Sequence, residues 1–278
     1  RTVMGFSWPQ TYGSIQINET RWGSGAAFPS NAVTTVMYGM VDISFVPTGA
    51  ANENRLYWVS HSAKTLTPTL TPATLSTIQS AMLILTESSV VKAHVGAAFS
   101  AGAGTGFIYK IDCGTDKIIN LSAATTHSVN GIPGFRRGRI AFGDESGRLY
   151  QVNNQYYTVF SGFPFVGEAS AIRGGIFLSN IARAYYGNLN GSFYCINTAG
   201  SQRFKLTGLG AITTTPIAAG GEIFVSAAAK VYRMTDADSP VITYTYTGSG
   251  NVSHIVVNAG HSGGPKFISL SGTTLVQY

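Results

Sequence analysis

The most suggestive string of potentially catalytic residues in this sequence is Gly260-His261-Ser262-Gly263-Gly264-Pro265. It fits the Gly-x-Ser-x-Gly pattern of the hydrolase nucleophile elbow, in which a sharp strand-to-helix turn exposes the serine hydroxyl. Here the string joins two predicted β-strands, and Ala219-Gly220-Gly221 occupies the corresponding place in an earlier segment. A glycine-rich hairpin turn accounts for both strings, so we assign no catalytic residue.

Metal sites in proteins are built from histidine, cysteine and carboxylate side chains at short, regular spacings. The five histidines lie at no such spacing from one another or from a cysteine, so the sequence predicts no metal site. The segment Asp236-Ala237-Asp238 has the carboxylate spacing of a calcium loop. It lacks a third ligand and the glycine of an EF-hand, which favours an ordinary turn.

Four polar residues are candidates for ligand binding at the centre of the fold. His127 and His254 lie on segments predicted to be inner strands, and Glu168 and Arg173 flank a third such segment. The histidines could face each other across a channel, or they could be isolated polar residues in a wet channel. The carboxylate and the guanidinium could bind a charged ligand or could pair with each other. No cofactor is predicted from these residues.

The densest basic cluster is Phe135-Arg136-Arg137-Gly138-Arg139, on a predicted turn between two strands. Guanidinium groups bind carboxylates and phosphates through paired hydrogen bonds. Arg136, Arg137 and Arg139 are therefore candidate ligands for an anionic glycan, a lipopolysaccharide phosphate or a nucleic acid, and a solvated turn is the alternative. Because the sequence has no basic stripe and no nucleic-acid-binding motif, no specific nucleic-acid partner is predicted.

Tyrosine pairs and sequons mark candidate surfaces. Tyr244 and Tyr246 alternate with threonine on a predicted outer strand, so both rings point to one face. We interpret these two residues, with Tyr156 and Tyr157, as a surface for stacking on sugars or for a protein contact; packing between repeats is the alternative. Four Asn-x-Ser/Thr sequons are candidate glycosylation sites if a glycosylating host secretes the chain: Asn18, Asn120, Asn190 and Asn251.

A repeated string predicts the elements that position these residues. The string Gly147-Arg148-Leu149-Tyr150-Gln151-Val152-Asn153 recurs with other residues along the chain, anchored at Tyr57, Tyr109, Tyr150, Tyr194, Tyr232 and Leu275. The steps between successive anchors are 52, 41, 44, 38 and 43 residues. A period near 40 built from short strands is typical of a β-propeller with one blade per repeat.

Each repeat is predicted to contain four strands joined by loops that carry glycine, asparagine and serine. In the third repeat the inner, second, third and outer strands are predicted at residues 126–132, 139–144, 147–153 and 156–160. We therefore predict an all-β fold, a six-bladed β-propeller with four-stranded blades, forming a single domain over residues 1–278.

The ring is expected to close through the N-terminal segment. Residues 14–20 would supply the strand that the last blade lacks, which removes an open sheet edge. Cys113 and Cys195 fall in blades that are not neighbours, so their separation should exceed the ~7 Å limit for a disulfide. We expect two free thiols.

The motif Gly-x-x-Tyr-x-Ile/Val-Asn/Asp resembles the repeat of quinoprotein-dehydrogenase-like, or PQQ-like, β-propellers over roughly residues 50–278. In that family a Thr-Gly turn follows the motif, and residues 112–116 and 197–200 are similar to it. The family's outer strand ends in tryptophan, which is replaced here by Leu121, Phe160, Leu206 and Tyr246. The family includes quinone-dependent dehydrogenases, scaffolds of outer-membrane assembly and adhesin-like modules, so the resemblance implies a fold without an activity.

Composition favours a structural or binding role. Charged residues make up 11% of the chain, against roughly 25% in an ordinary soluble domain. A chain sparse in charge and rich in threonine, serine, glycine and tyrosine indicates an extracellular or cell-surface protein, or a virion protein. No run of 18 apolar residues is available to span a membrane.

We therefore predict a non-enzymatic, secreted or surface-displayed module, such as an adhesin domain, an extracellular filament subunit or a virion appendage. Its expected partners are other protein subunits or surface glycans, and a homo-oligomer or filament is an expected form. The alternative is a propeller enzyme that uses residues at the channel mouth, such as a quinoprotein-like dehydrogenase, a lactonase or a lyase.

Overall fold

A computed structural model of the chain describes residues 127–248 throughout; outside that range it describes strands, together with some side chains between residues 83 and 125. The strands before residue 127 are β1 (Thr20–Trp22), β2 (Ala26–Ser30), β3 (Val33–Asp42), β4 (Leu56–Ser60), β5 (Leu66–Leu70), β6 (Ser76–Ile78), β7 (Leu83–Glu87), β8 (Val90–Phe99), β9 (Gly106–Asp112) and β10 (Lys117–Thr125).

Every regular element that follows is also a strand. Within residues 127–248 these are β11 (Gly134–Arg136), β12 (Arg139–Gly143), β13 (Arg148–Asn153), β14 (Phe165–Val166), β15 (Phe177–Leu178), β16 (Ala184–Gly187), β17 (Phe193–Ile196), β18 (Gln202–Leu206), β19 (Ile217–Ala219), β20 (Glu222–Ala227), β21 (Lys230–Thr235) and β22 (Ile242–Thr247). Beyond them lie β23 (Val252–Asn258), β24 (Lys266–Ser271) and β25 (Thr274–Gln277).

The strands form a succession of antiparallel sheets. Three sheets lie within residues 127–248, each with four strands in chain order, and we call them the third, fourth and fifth sheets: β11-β12-β13-β14, β15-β16-β17-β18 and β19-β20-β21-β22. The strands before them form two groups around β3 and β8, and those after them form β23-β24-β25. The first strands of neighbouring sheets contact each other, β11 with β15 and β19 with β23, so the first strands are the inner ones.

The recurring string of the sequence forms a strand at each anchor position: β4, β9, β13, β17, β21 and β25. Two anchor rings stack on the residue directly opposite in the preceding strand. Tyr150 stacks on Phe142 with ring centroids 5.2 Å apart, and Tyr194 stacks on Tyr186 at 4.9 Å. Stacked aromatic pairs of this kind add to the free energy gained by burial, which favours an aromatic anchor.

The anchor hydroxyl groups explain why the anchor is tyrosine rather than phenylalanine. The Tyr194 hydroxyl accepts a hydrogen bond from the backbone N–H of Glu168 at 3.2 Å, and the Tyr232 hydroxyl donates to the Leu209 carbonyl at 3.0 Å. Glu168 and Leu209 both lie on connections that precede an inner strand. These two anchors therefore tie their sheets to the chain that leads away from an outer strand, and a buried polar group is satisfied at the same time. The Tyr150 hydroxyl instead donates to Oδ2 of Asp144, which directly follows β12 of its own sheet, at 3.2 Å.

Neighbouring sheets pack closely through glycines at the ends of second strands. A Cβ added to Gly143 would lie 2.4 Å from Cγ2 of Ile172, and one added to Gly187 would lie 2.3 Å from Cγ2 of Ile212. Both isoleucines are fully buried. Only glycine allows the next connection to approach the strand this closely.

The inner strand predicted for the third repeat is wrong. Residues 127–133 form no strand, and the inner strand is instead Gly134–Arg136. Pro133 has no N–H to donate to a sheet ladder, which accounts for the later start.

The predicted outer strand at 156–160 is confirmed only at its end. Residues 158–160 pair with β13, through hydrogen bonds from the Asn153 N–H to the Thr158 carbonyl at 2.9 Å and from the Phe160 N–H to the Gln151 carbonyl at 3.0 Å. The Asn153 carboxamide oxygen accepts hydrogen bonds from the N–H groups of Gln155 and Tyr156, forming a turn, and the fourth strand is Phe165–Val166. The predicted strands at 139–144 and 147–153 are confirmed within one residue.

Some predictions fall outside the described residues or stay untested. Residues 14–19 are not described, although Thr20 begins β1, which pairs with β3. The blade count, the closure of the ring and the single domain stay predictions. Cys195 is a buried free thiol, as predicted, and Cys113 lies outside the described residues. In the part of the chain that is described, no helix is long and apolar enough to cross a membrane.

Candidate functional site

The turns between first and second strands come together at one end of the third, fourth and fifth sheets. These turns are at residues 137–138, 179–183 and 220–221. Arg136 beside the first turn donates a hydrogen bond from Nη2 to Oδ1 of Asn180 in the second, at 2.5 Å. The second and third turns line one cavity. We call this end of the three sheets the arginine face.

The predicted basic cluster lies on this face. Arg137 and Gly138 form a two-residue hairpin with φ angles of +50° and +73° between Arg136 and Arg139, which are paired across the ladder. A tight turn of this kind requires positive φ at both positions, which explains the glycine. The side chains of Arg136 and Arg137 are exposed.

Arg139 differs from Arg136 and Arg137 because it is half-buried and its guanidinium makes several contacts within the protein. Its guanidinium lies 3.8 Å from the ring centroid of Phe160 and donates to Oε1 of Gln151 at 3.1 Å and to the Thr198 carbonyl at 3.2 Å. Partial burial lowers the pKa of this guanidinium. Arg139 therefore braces the third sheet against the β17–β18 turn of the fourth, and its ligand-binding role stays a prediction.

A cavity of about 240 Å³ opens on the arginine face between the fourth and fifth sheets. Phe177 and the buried Tyr185 form its floor, and the rim carries exposed residues of both turns. Its polar lining is Ser179, Asn180, Arg183, Tyr185 and Asp236, and its apolar lining includes Ile181, Ala218 and Ala219.

The sequence analysis missed this cavity and Arg183. A usable signal exists, because Arg139 and Arg183 stand four residues before Gly143 and Gly187, so the two arginines are equivalent in neighbouring repeats. The basic cluster includes Arg139 but does not point to Arg183, because Arg183 has no basic neighbour in the sequence. Only the arrangement of the turns brings the two arginine-bearing segments to one face.

A charged cluster lies at one side of the cavity floor. The Tyr185 hydroxyl lies 3.0 Å from both carboxylate oxygens of Asp236, and Arg203 forms ion pairs with Asp236 and with Asp238. Although burial opposes it, the bonds to these carboxylates raise the pKa of the Arg203 guanidinium. The carboxylates predicted to form an ordinary turn thus bind a guanidinium, and the described residues contain no group of three or more potential metal ligands.

Glu168 and Arg173 lie on the connection between β14 and β15, at the end of the sheets away from the arginine face. Each has its own partner. Glu168 forms an ion pair with Lys205 and accepts a hydrogen bond from Oγ of Ser192 at 2.7 Å. The bonds from Lys205 and Ser192 lower the pKa of Glu168 to about 2. Arg173 instead donates to both carboxylate oxygens of Glu145, at 2.9–3.1 Å.

The alternative in which Glu168 and Arg173 pair with each other is therefore not what the structure has. Of the two predicted channel histidines, His127 is exposed and lies between β10 and β11 rather than on an inner strand. His254 lies on β23, as predicted, and its side chain is outside the described residues. Whether any of these residues binds a ligand stays a prediction.

The tyrosine candidates fall into two classes. Tyr244 is 57% exposed and its ring packs 4.4 Å from that of the half-buried Tyr246, on the last strand of the fifth sheet. Tyr156 is 71% exposed. Tyr157 is only 5% exposed, so its assignment to an exposed surface is wrong. Its hydroxyl instead lies 2.5 Å from Nδ1 of His94.

The His94–Tyr157 contact belongs to a buried network that the sequence analysis also missed. The Nε2 atom of His94 lies 3.1 Å from Oε1 of Glu87, and Glu87 forms an ion pair with the buried Lys110. Burial would raise the pKa of Glu87, but hydrogen bonds from His94, Lys110 and Asn154 outweigh it and bring the pKa to about 2. Burial lowers the pKa of His94. A neutral His94 that donates from Nε2 and accepts at Nδ1 satisfies every partner.

Of the four sequons, Asn190 is exposed, and Ser192 of the same sequon is buried against Glu168. Asn120 lies in β10, where its side chain is not described, and Asn18 and Asn251 lie outside the described residues. The Gly260–Pro265 string also lies outside them.

No known protein family matches this sequence, and no curated protein sequence matches it. Its fold is similar to that of Sqt1 from Saccharomyces cerevisiae, at 13% identity and a TM-score of 0.64, covering 85% of this chain and 66% of that chain. It is similar to a chain in the crystal structure of the Mitotic Checkpoint Complex, at 9% identity and a TM-score of 0.63, covering 99% of this chain and 88% of that one.

A third similar structure is BamB from Moraxella catarrhalis, at 12% identity and a TM-score of 0.57, covering 88% of this chain and 80% of that chain. These structures are WD40 and other β-propellers, and BamB has PQQ-like repeats. At such identities the likeness concerns the fold alone. The chain is an all-β protein with a β-propeller fold, and the resemblance to PQQ-like propeller repeats is confirmed.

Proposed function

We propose that this β-propeller is a non-enzymatic protein-interaction module of an extracellular or surface-displayed assembly, which it joins through strand β22. The observation that carries this proposal is the exposure of that strand. Five of its six residues are exposed, and Tyr246 is half-buried. β22 is the last strand of the fifth sheet, so one edge of its backbone has no described partner strand.

The chemistry of β22 supports a contact with protein. Its sequence is Ile-Thr-Tyr-Thr-Tyr-Thr, without charge, proline or glycine. Natural edge strands are usually protected against pairing by charged residues or proline, and an unprotected edge invites another strand. Val241, directly before the strand, is 62% exposed and extends the apolar surface. Exposed tyrosines are among the residues enriched in the core of protein interfaces.

A second copy of the chain is the simplest occupant of this edge. Two β22 strands that pair antiparallel bring the beginning of one strand near the end of the other. The beginning lies near Asp238, whose side chain is 85% exposed, and the end pairs with the exposed Lys230 of β21. An acidic residue, which also pairs with Arg203, and a basic residue thus flank a neutral strand, an arrangement that is compatible with the antiparallel pairing. A filament subunit, an adhesin domain and a virion appendage are the kinds of assembly that such a contact would serve.

The test is electron microscopy of the protein from its native source, with solution mass measurements on the recombinant chain. We expect filaments or particles in which the propeller makes a fixed, repeating contact. Tyr244→Lys should abolish that contact, because it places a charge at the centre of the strand.

Tyr156→Lys is the matched control, since Tyr156 is at least as exposed and lies elsewhere. Discrete monomers from the native source would overturn the proposal. Equal loss of assembly in both variants would also count against β22 as the contact.

A further inference from the structure

The cavity on the arginine face has the size and lining of a pocket for one side chain. Its volume of about 240 Å³ is below the ~300–1,000 Å³ of pockets that hold drug-sized ligands. The floor is aromatic, with the Phe177 and Tyr185 rings 6.0 Å apart. Ile181, Ala218 and Ala219 add apolar walls. An entering group would bury apolar surface beside a few polar groups.

The charged residues of the cavity are not equivalent. Asp236 already has partners, because Arg203 forms an ion pair with it and the Tyr185 hydroxyl binds it. Arg183 lines the same cavity, and within residues 127–248 its guanidinium has no hydrogen-bonding partner. Its backbone is bonded to Ser179, through the N–H to Oγ at 3.2 Å and through the carbonyl from the Ser179 N–H at 3.0 Å. The half-buried Arg183 therefore places a cation in a cavity whose carboxylate already binds Arg203 and Tyr185.

The surroundings of the cavity strengthen this preference for an anion. Arg136 contacts Asn180 on the rim, and Arg137 follows it in the adjacent turn. The nearby carboxylates, Asp236 and Asp238, both bind Arg203. Because these two carboxylates share one cation, the three groups together keep one negative charge, which Arg183, Arg136 and Arg137 outweigh. The net charge around the opening is therefore positive, which attracts acidic partners before contact is made.

We propose that this cavity receives the carboxylate of an acidic peptide segment from a protein partner, held by Arg183 and flanked by an apolar residue. A guanidinium binds a carboxylate through two parallel hydrogen bonds, which fixes the orientation of the segment. This inference rests on the proposed role as a protein-interaction module and adds a second contact, distinct from β22.

The lining favours a peptide over a nucleic acid. Nucleic-acid grooves track several phosphates with a series of basic side chains and stack exposed bases on accessible aromatic rings. Here a single guanidinium lies in the cavity, and Tyr185 is fully buried beneath it. An acidic side chain beside an apolar one matches this combination of one cation and apolar walls.

The test uses arrays of capped seven-residue peptides in which the central residue is varied over all twenty amino acids, probed with the whole chain. We expect peptides with central glutamate or aspartate to be bound, and their glutamine and asparagine counterparts to bind about tenfold more weakly or worse. Fluorescence anisotropy of one selected peptide then compares variants. Arg183→Gln should weaken binding by about tenfold or more, and Arg183→Lys should lose less, because the charge remains and the paired geometry does not.

Arg173→Gln is the matched control, because Arg173 is 52% exposed and lies at the opposite ends of the strands. Thermal melts show whether each variant is folded. Binding without a preference for acids, or unaffected by Arg183→Gln, would overturn the proposal. So would a labelled single-stranded oligonucleotide that displaces the peptide and depends on Arg136 and Arg137. Since Tyr244→Lys should not affect peptide binding and Arg183→Gln should not affect assembly, the two proposals fail separately.

Discussion

Two polar clusters link neighbouring sheets of this protein, and they use the same groups in different settings. Each combines a tyrosine hydroxyl, a carboxylate and a cation. The network of Glu87, His94, Lys110 and Tyr157 is enclosed, with side chains of the ion-paired residues at most 11% exposed. The cluster of Tyr185, Asp236 and Arg203 lies at the arginine face, where Asp236 is 22% exposed and a cavity opens beside it.

The difference separates a structural use of polar groups from a use in recognition. In the enclosed network His94, Lys110 and Asn154 all bind Glu87, so a ligand that displaced one of them would leave a buried polar group unpaired. The open cluster binds its carboxylate to Arg203 and Tyr185 and leaves the neighbouring Arg183 available. The same chemistry therefore stabilises the fold when it lies between sheets and shapes a binding surface when it lies at their ends.

The enclosed network should be the more sensitive of the two to removal of one partner. Glu87→Gln leaves the buried Lys110 without its counter-charge, so we expect a loss of about 3–5 kcal/mol in the free energy of unfolding, measured in urea. Glu145→Gln is the control, because it breaks the exposed pair with Arg173 and should cost less than about 1 kcal/mol. Equal losses would show that enclosure has no energetic consequence in this protein.

The enclosed network should also make the protein sensitive to acid. The pKa of Glu87 is about 2 in the folded protein and 4.5 ordinarily, so its stabilising contribution is present above pH 4.5 and is lost as the pH falls towards 2. Its full size is about 3 kcal/mol.

The lowered pKa of His94 acts in the same direction from pH 6.5 downwards, because the unfolded chain takes up the proton first. Urea unfolding across this pH range measures the combined effect. Glu87→Gln should flatten the curve below pH 4.5 more than Glu168→Gln does, since Glu168 is 35% exposed. Identical curves for the two variants would contradict this.

The open cluster should tolerate the loss of its cation better. Arg203→Gln leaves Asp236 with Tyr185 and returns the 85%-exposed Asp238 to solvent, so we expect a loss of about 1–2 kcal/mol in the same measurement. A loss as large as that of Glu87→Gln would show that the two clusters are energetically alike, and the comparison would fail.

The smallest effects concern two adjacent tyrosines of β16. Tyr185→Phe removes the hydroxyl that binds Asp236 and should cost about 1 kcal/mol. The Tyr186 hydroxyl is buried and has no partner among the described residues, so Tyr186→Phe should leave stability unchanged or raise it slightly. Differential scanning calorimetry of both variants measures the contrast, and a larger loss for Tyr186→Phe would refute it.

The sequence by itself determined the elements that depend on local signals. The recurring tyrosine motif predicts the third strand of each sheet within 127–248 because alternation of side chains and flanking turn residues are properties of neighbouring residues. The inner strands at Gly134–Arg136 and Phe177–Leu178 are too short for such a signal, and Pro133 moved one of them along the chain. The basic turn at Arg137 was visible for the same local reason.

Only the tertiary structure decided which residues meet. Tyr157 is one of two adjacent tyrosines in the sequence, and its burial follows from His94, which is 63 positions away. Arg183 has no basic neighbour in the chain and gains its role from a cavity closed by residues 218–221 of the next sheet. Contacts between sheets join residues whose separation along the sequence follows no regular period. That separation depends on the packing of whole blades and not on the geometry of a single strand.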